Sequence, residues 1–446
     1  MTARPLLAVI LVAAGTAAAA EPVPPTRGSG LDLASYDTSH RPQDDLFRYA
    51  NGGWLAANPI PPDRARWGSV DLLADEATLH QRLLLESPAP ADDPQAAATR
   101  AYYASFMDEA RIESLGTRPL AALLERVSQL EGPADLVRYF GEARALGAST
   151  PLAAYISIDR GDPDAYVPYF WQGGLGMPDR DYYLKPEQFG EVPARYRAYL
   201  GRLFELAGFD APAARAARVY ALEQALAEAQ WSRVDNRDPV RTYNRMTAAE
   251  AGEIAPGLDW AALLEAAGLP SGGRFVLAQP SHAAALASLL DSRPAEEWRD
   301  YLAARLLDDY APYLARDFVD AHFDFNQRTL RGTPELRPRW RRAVSEVNRG
   351  MGFAVGREYV ARHFPPEAKA RVDALVRNLL EAMAVGIDEL DWMSAPTRVE
   401  AQAKLAKVRV KIGYPSRWRD YAGLEIRADD LVGNVMRATR FEWQRQ

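Results

Sequence analysis

A helical hydrophobic periodicity runs through most of the chain and constrains its fold more than any other feature. The longest helices are expected within residues 338–364 and 366–390, and a further helix is expected over 394–408, with a Thr397-x-x-Glu400 capping box near its start. The 366–390 segment carries one apolar stripe, made of Val372, Leu375, Val376, Leu379, Leu380 and Met383. The pattern therefore predicts a mainly α protein.

Signals for β-strands are few and local. Residues 152–158 and 165–171 are β-prone runs, and the residues between them are rich in Asp and Gly, which indicates a hairpin. Residues 274–277 are a further short candidate strand. No fixed-period repeat supports a solenoid. We therefore expect a large multi-helical lobe with a small β-hairpin insert.

Composition excludes several classes of protein. The 446-residue chain is 48% hydrophobic and 25% charged, which is ordinary for a globular protein. It contains no cysteine, so disulfide scaffolds, cysteine proteases, thiolate zinc sites and iron–sulfur clusters are excluded. The formal net charge is −7, whereas nucleic-acid binders usually carry a basic excess. No nucleic-acid partner is expected.

The first twenty residues have the pattern of a secretory signal peptide. Arg4 supplies the positive start, a short apolar run follows, and small residues precede a predicted cut after Ala20. The apolar run is too short to span a hydrocarbon core of about 30 Å, and no later stretch predicts a membrane span in the mature chain. Residues 21–43 are expected to form a flexible leader, rich in Pro and Gly at its start. These features predict a secreted or periplasmic protein.

Familiar catalytic motifs are missing from the sequence. The five histidines include no HExxH pair, and neither a G-x-S-x-G nucleophile elbow nor a P-loop occurs. Gly173-Gly174-Leu175-Gly176 superficially resembles a phosphate loop, but Asp179 and Asp181 follow it and would repel phosphate. We interpret it as a structural turn. Acidic pairs such as Asp308/Asp309 are too common in this chain to indicate a glycosidase by themselves.

One segment stands out as a candidate for ligand binding. A proline-rich arm over residues 59–62 leads to Arg66-Trp67-Gly68 and then to the start of a helix. An arginine beside a turn glycine and a tryptophan is well placed to bind a carboxylate. The alternative is an internal ion pair of Arg66 with Asp71 or Asp75.

Four ordered blocks of sequence resemble the neprilysin and endothelin-converting enzyme family of zinc metallopeptidases, in its bacterial secreted branch. The likeness extends from about residue 44 to residue 438. The blocks are DDLFRYANGGWL at 44–55 with IP at 60–61 and RWG at 66–68, QGGLGMPDRDYYL at 172–184, YNRMT at 243–247 with LDW at 258–260, and WM at 392–393 with KIGYP at 411–415. The order and spacing of the blocks make the resemblance specific.

The resemblance implies a helical lobe that caps a thermolysin-like catalytic domain and encloses a cavity that admits peptides. It implies zinc as the cofactor of the intact enzyme, held by the two histidines of HExxH and a downstream glutamate. The glutamate of that motif would be the general base, and a later histidine would stabilise the oxyanion. None of these catalytic or metal-binding residues is present in this sequence.

One substrate-binding element of the family carries over to this sequence. Arg66 matches the family arginine that grips the carboxylate end of a peptide, and Asp71 matches the aspartate of the same helix start. The family's second arginine falls at Ala74, which is a departure. The resemblance therefore implies a peptide substrate that contacts Arg66 and Asp71, with an altered preference for free carboxyl ends.

The resemblance also predicts how the chain is divided. A signal peptide (1–20) and a leader (21–43) would precede a helical, non-catalytic peptidase domain (44–430), and residues 431–446 would begin the connection to a catalytic domain. In the family a substrate-binding strand and HExxH follow the segment that matches 431–446, and the sequence ends at Gln446. We therefore expect a fold that lacks most of the thermolysin-like domain, binds no zinc and is catalytically incompetent alone. The missing domain would pack against the lobe.

Two other functions remain open at this stage. The chain could be a stand-alone helical protein that binds peptides or serves as a scaffold without catalysis. It could also be a helical carbohydrate-active enzyme that uses two carboxylates.

Overall fold

The computed structural model describes residues 31–446. The predicted signal peptide and the first part of the predicted leader lie outside the described residues. Contacts divide the chain after Ile60 into two units, a boundary that no shift in composition predicts.

Among the described residues, from 31 onward, the first unit contains a short 3₁₀ turn, Leu33–Ser35, and helix α1, Leu46–Ala57. Asp45 caps α1 because its side chain accepts a hydrogen bond from the backbone N–H of Arg48 at 2.9 Å. A Cβ atom at Gly53 would overlap the backbone oxygen of Ala34. The glycines of the NGGW motif therefore allow α1 to lie directly against the turn.

The second unit, residues 61–446, is built mainly from helices. The prediction of a mainly α fold with a small β insert is confirmed, and the two longest helices lie where the periodicity placed them. The helices are α2 (Ser69–Glu86), α3 (Pro94–Met107), α4 (Glu109–Leu115), α5 (Ala121–Ser128), α6 (Pro133–Leu146), α7 (Asp181–Leu184), α8 (Val192–Leu206), α9 (Pro212–Ala229), α10 (Ala248–Ile254), α11 (Trp260–Ala266), α12 (Pro280–Ser292), α13 (Ala295–Tyr310), α14 (Arg316–Phe323), α15 (Arg339–His363), α16 (Pro366–Asp388), α17 (Ala395–Ala406) and α18 (Leu431–Arg445). A π-helix, Asp324–Thr329, follows α14 directly.

The capping box predicted for α17 is wrong. The N-cap is Ser394, whose side chain accepts from the backbone N–H of Thr397 at 3.4 Å, so Thr397 lies inside the helix. Pro396 is the second residue of the helix and suits this start, because its fixed φ is compatible with the first turn of a helix. A complete capping box occurs instead at α10, between Thr247 and Glu250.

The β insert is a four-stranded sheet in the order β1-β2-β4-β3. Strands β1 (Leu152–Asp159) and β2 (Asp162–Gln172) form the predicted antiparallel hairpin. Strand β4 (Phe275–Leu277), also predicted, pairs parallel to β2 and antiparallel to the two-residue strand β3 (Arg245–Met246). The sheet packs its buried face on the helical core through Phe170 and Phe275.

The QGGLG segment packs as a structural turn, as interpreted from the sequence. Gly174 has φ 80°, and a Cβ at that position would overlap the Tyr301 hydroxyl, which donates to the Gly174 carbonyl at 2.8 Å. Gly176 lies equally close to the Tyr196 hydroxyl. These glycines allow the turn to approach α8 and α13, so this family motif serves folding in this lobe.

Helix α18 belongs to the core of the lobe. Residues 431–446 were expected to begin a connection, but Leu431, Val432 and Val435 are buried in the main hydrophobic cluster. The side chain of Asn434 donates to Ser105 at 3.1 Å, and the indole N–H of Trp443 donates to the Ala267 carbonyl at 2.8 Å. Helix α18 therefore packs as part of the helical core.

Helix α16 is amphipathic, yet none of its residues is buried. The stripe predicted from its periodicity is open to solvent, with Leu375, Leu379 and Met383 exposed by 56%, 59% and 56%. Trp392, just beyond the helix, is 77% exposed. Isolated exposed apolar residues are common on proteins, but a continuous stripe of this kind marks a binding surface.

Within residues 31–446, no helix combines the length and apolar composition needed to cross a bilayer.

Candidate substrate-binding site

The proline arm that precedes α2 is held against the loop before α15. The backbone N–H of Glu335 donates to the Pro62 carbonyl at 3.0 Å. The guanidinium of Arg64 lies over the ring of Trp67, 4.6 Å from its centroid, which is a cation–π contact. Gly68 is the N-cap of α2 and offers no side chain to the free N–H groups of the first turn.

Asp75 on α2 connects the segment before α2 to helix α15. It accepts hydrogen bonds from Arg64 of the arm and from Arg341 of α15, the latter at 2.6 Å. Burial alone would raise the pKa of Asp75, but the two guanidiniums outweigh it and hold the pKa below its ordinary value. The alternative that Asp75 pairs with Arg66 is wrong, because Arg64, two residues earlier, occupies that place. Sequence reasoning missed both Arg64 and Arg341.

Arg66 is left exposed by this arrangement. Within residues 31–446 it makes no hydrogen bond or ion pair, so its guanidinium is available to a ligand. Asp71 lies in the first turn of α2, where a carboxylate is stabilised by the helix dipole. No ion pair joins Asp71 to Arg66 in the described part of the chain, which excludes the other internal pair considered above.

Two exposed apolar side chains follow Arg66 in the first two turns of α2. Val70 and Leu73 of α2 are 76% and 67% exposed. Ala74, the position that the resemblance matches to a second family arginine, is also exposed. The surface therefore combines one free guanidinium with apolar contacts, which suits one end of a peptide better than a small polar molecule.

Helix α2 is fixed further along by α15. The side chain of Asn348 donates to Gln81 at 2.6 Å, and the rings of His80 and His363 stack with centroids 4.2 Å apart. A cavity of about 460 Å³ lies between these helices and the KIGYP segment, with Tyr414 in its wall. The fourth sequence block and the α2 surface thus belong to one side of the lobe.

The histidines of the described residues do not fit a zinc site. Between residues 31 and 446, no group of three or more His, Asp or Glu side chains is arranged to hold a metal ion. His80 and His363 are adjacent, but their planes differ by only 3°, so their nitrogen lone pairs cannot converge on a tetrahedral ion. His282 is buried, with Nε2 3.0 Å from the Pro151 carbonyl oxygen. No catalytic step is therefore assigned to zinc in these residues.

Comparison with known proteins identifies the family. The profile of peptidase family M13 matches residues 42–415, which is most of the chain. This chain belongs to peptidase family M13. The sequence resemblance to the neprilysin and endothelin-converting enzyme family of zinc metallopeptidases is confirmed.

Curated M13 relatives include mammalian converting enzymes. Human endothelin-converting enzyme-like 1 is 30% identical over 465 residues, which cover 97% of this chain and 60% of the relative. Bovine endothelin-converting enzyme 1 is 27% identical over 432 residues, covering 92% of this chain and 57% of the relative. The chain thus spans little more than half the length of these relatives.

Solved M13 structures share the fold. The Mycobacterium tuberculosis zinc metalloprotease ZMP1, solved with an inhibitor, is 39% identical and superposes with a TM-score of 0.87, over 94% of this chain and 64% of that one. PepO from Lactobacillus rhamnosis superposes with a TM-score of 0.80 at 23% identity, over 91% of this chain and 65% of that one. The latter likeness supports the fold alone.

Proposed function

We propose that this chain is the N-terminal lobe of a secreted zinc-dependent metalloendopeptidase that hydrolyses peptides, and that it is catalytically incompetent by itself. The observation that carries the proposal is the M13 match over residues 42–415 together with the likeness to ZMP1, a zinc metalloprotease that is longer than this chain. The role of the lobe is to bind and enclose a peptide. Zinc, in the intact enzyme, would belong to a C-terminal catalytic domain.

The exposed stripe of α16 is the proposed contact for that catalytic domain. Its apolar residues face solvent, and Val399 of α17 is a further exposed apolar side chain nearby in sequence. Burying an apolar surface stabilises an interface by roughly 25 cal/mol per Å² removed from water. A catalytic domain with an apolar surface of its own would cover the stripe residues that are exposed to solvent in this lobe.

Arg66 and Asp71 are the proposed substrate-binding residues. A free guanidinium can donate two parallel hydrogen bonds to the carboxylate end of a peptide, and Asp71 can accept from a peptide N–H close by. Val70 and Leu73 would contact the side chains of the peptide. Because Ala74 replaces the family's second arginine, we expect the preference for a free carboxyl end to be modest.

The first experiment tests catalysis. The purified chain is incubated with zinc and a quenched fluorescent peptide, and its metal content is measured after dialysis. We expect no hydrolysis and no stoichiometric zinc, because the described residues contain no zinc site. Zinc-dependent cleavage that a chelator abolishes would overturn the proposal. The coding sequence downstream of codon 446 is expected to contain HExxH.

The second experiment tests substrate binding. Fluorescence anisotropy compares a labelled hexapeptide with a free carboxyl end and its C-terminal amide. Arg66→Gln is expected to weaken binding of the free acid about tenfold, since it removes a charged hydrogen bond. Arg138→Gln, a change on the exposed surface of α6, is the matched control. Equal affinity of the Arg66 variant and the parent would exclude Arg66 from the site. Tight, specific binding without a C-terminal domain in the gene would favour the stand-alone peptide-binding protein.

The proposed secretion has its own test. N-terminal sequencing of the protein recovered from the medium or periplasm is expected to start at Glu21, after removal of the signal peptide. A cytoplasmic protein that retains Met1 would contradict it.

A further inference from the structure

A second cavity, of about 340 Å³, lies on the lobe between α14, the π-helix and the loop that leads into α15. Three arginines line it, Arg331, Arg337 and Arg342. The same cavity has apolar walls from Val319 and Phe323 of α14 and from Leu336. It thus combines a cationic side with an apolar side.

The guanidiniums of this cavity lack carboxylate partners. In the part of the chain that the structure describes, none of the three arginines forms an ion pair with a carboxylate. Nε of Arg337 and Nη1 of Arg342 are buried and have no hydrogen-bond acceptor, although Nε of Arg342 donates to the Arg337 carbonyl at 3.2 Å. Buried donors without an acceptor are rare in folded proteins because each costs free energy.

The carboxylates in the wall do not neutralise these arginines. Asp63 pairs with Arg64 at 3.6 Å, and Glu335 is exposed, with no ion pair in residues 31–446. Burial, and then the neighbouring Arg339, lower the pKa of Arg342 to about 10, while burial and nearby guanidiniums lower that of Arg337. Positive charge is therefore crowded here, and a bound anion would relieve it.

The wall of the cavity is also unusual in its backbone. The π-helix Asp324–Thr329 supplies Gln327 to the lining, and the Gln327 carbonyl accepts from the backbone N–H of Thr333 at 3.2 Å. Short π-helical turns are rare and are frequently found at functional sites. The loop that carries Arg331 and Arg337 is thereby fixed to the π-helix, which directly follows the α14 wall.

We propose that this cavity binds a small organic anion, whose carboxylate or phosphate head contacts Arg337 and Arg342 and whose apolar body lies against Phe323 and Leu336. Guanidinium groups bind both kinds of head group through paired hydrogen bonds. The inference is independent of the peptidase proposal, because it uses neither Arg66 nor a catalytic domain.

Calorimetric titration of the full chain tests the proposal with four probes: phenyl phosphate, phenylacetate, inorganic phosphate and benzyl alcohol. We expect one of the two aromatic anions to bind, which identifies the head group, and the binding to weaken as salt is added. Inorganic phosphate is expected to bind at least tenfold more weakly, and benzyl alcohol not at all.

Substitutions of the cavity arginines test where the anion binds. Arg337→Gln and Arg342→Gln are each expected to weaken binding at least tenfold, and Arg331→Gln, at an exposed position, less. Arg138→Gln, far along the chain on α6, is the control and should bind as the parent does, and circular dichroism checks the fold of each variant. The proposal is overturned if neither aromatic anion binds, if inorganic phosphate binds equally well, or if folded Arg337 and Arg342 variants bind unchanged.

Discussion

Arg305 on α13 is the centre of the buried polar contacts in the lobe. Its guanidinium donates to the Tyr196 hydroxyl at 2.8 Å and lies 3.5 Å from Glu223 and 3.4 Å from Asp308. Tyr183 and Tyr196 donate in turn to the two oxygens of Glu223 at 2.8 and 2.9 Å. The second tyrosine of the DYYL block is thus a structural residue, which joins α7 to α8, α9 and α13.

Removing Arg305 is expected to destabilise the lobe strongly. Arg305→Ala leaves the carboxylate of Glu223 buried without a cation, and breaking a buried pair in this way costs about 3–5 kcal/mol. Urea unfolding followed by circular dichroism measures the loss. The control is Arg195→Ala, which breaks an exposed i,i+4 pair with Glu191 and should change the midpoint little. Equal midpoints for the two variants would contradict the assigned role of Arg305.

Asp309 gives the lobe a specific pH dependence. Burial, and then the neighbouring Asp308, raise its pKa to about 7 from an ordinary value of 3.8. The folded state therefore holds a proton that the unfolded state releases, so this group's contribution to stability is complete below about pH 4 and is lost as pH rises through 7.

The Asp309→Asn variant tests that contribution. Asparagine cannot ionise, and its side-chain oxygen can still accept from Ser149, whose N–H lies 2.7 Å from the carboxylate. Between pH 4.5 and 7.5 the stability of the variant relative to the parent is expected to rise by about 3 kcal/mol. Parallel stability curves over this range, measured by urea unfolding, would show that Asp309 has an ordinary pKa in the fold.

At the residue scale the sequence described only part of the ion pairing in the candidate segment. It indicated residues 59–75 as a candidate site, with a free arginine or an internal ion pair. The pair exists, but Arg64 forms it together with Arg341, which lies about 270 residues away and which no local pattern could connect to Asp75. Arg66 is free because those two arginines already satisfy Asp75.

Helix α16 shows what periodicity can and cannot predict about an element. Its stripe of apolar residues predicted a helix of the observed length. The direction in which the stripe faces depends on packing partners, and a single sequence does not specify them. At α17 the expected start near Ser394 is observed, but the Thr397–Glu400 capping box is not, because Thr397 lies inside the helix.

Polar substitutions on the α16 stripe are expected to improve the behaviour of the chain in solution. In the variant Leu375→Ser/Leu379→Ser, self-association and dye binding should fall, because both positions are exposed apolar surface. The melting temperature should change little. Val347→Ser, at a fully buried position of α15, is the control and should lower the melting temperature clearly. If analytical ultracentrifugation shows that the double variant self-associates as much as the parent, the stripe does not mediate self-association.

Residues 61–446 form one unit with a hydrophobic cluster that extends from Leu85 to Ala438. The chain has no cysteine, so no disulfide reinforces this core. The cluster joins elements from both ends of the unit, since α18 packs on α3 and α6. The sequence predicted the helices but assigned residues 431–446 to a connection, because the family resemblance placed the next domain there.

Deletion of residues 431–446 is expected to unfold the lobe. It removes six buried residues of α18, including Trp443, and leaves apolar surface on α6 uncovered. The loss of the near-ultraviolet circular dichroism signal and of a cooperative melting transition would record the effect. Arg440→Ala, at an exposed position on the same helix, should melt like the parent. If the truncated chain melts cooperatively at the melting temperature of the parent, α18 does not stabilise the lobe.

The shared anchoring of Asp75 by Arg64 and Arg341 has a consequence for synthesis. About 275 residues separate Arg66 from Arg341, and at roughly 5–20 residues per second the ribosome needs about 14–55 s to make them. Until Arg341 has been added, the arm has Asp75 and Arg64 but no α15 against which to close. The surface proposed to bind a peptide is encoded near residue 66, yet it is completed only when the ribosome has passed residue 341, three quarters of the way through these 446 residues.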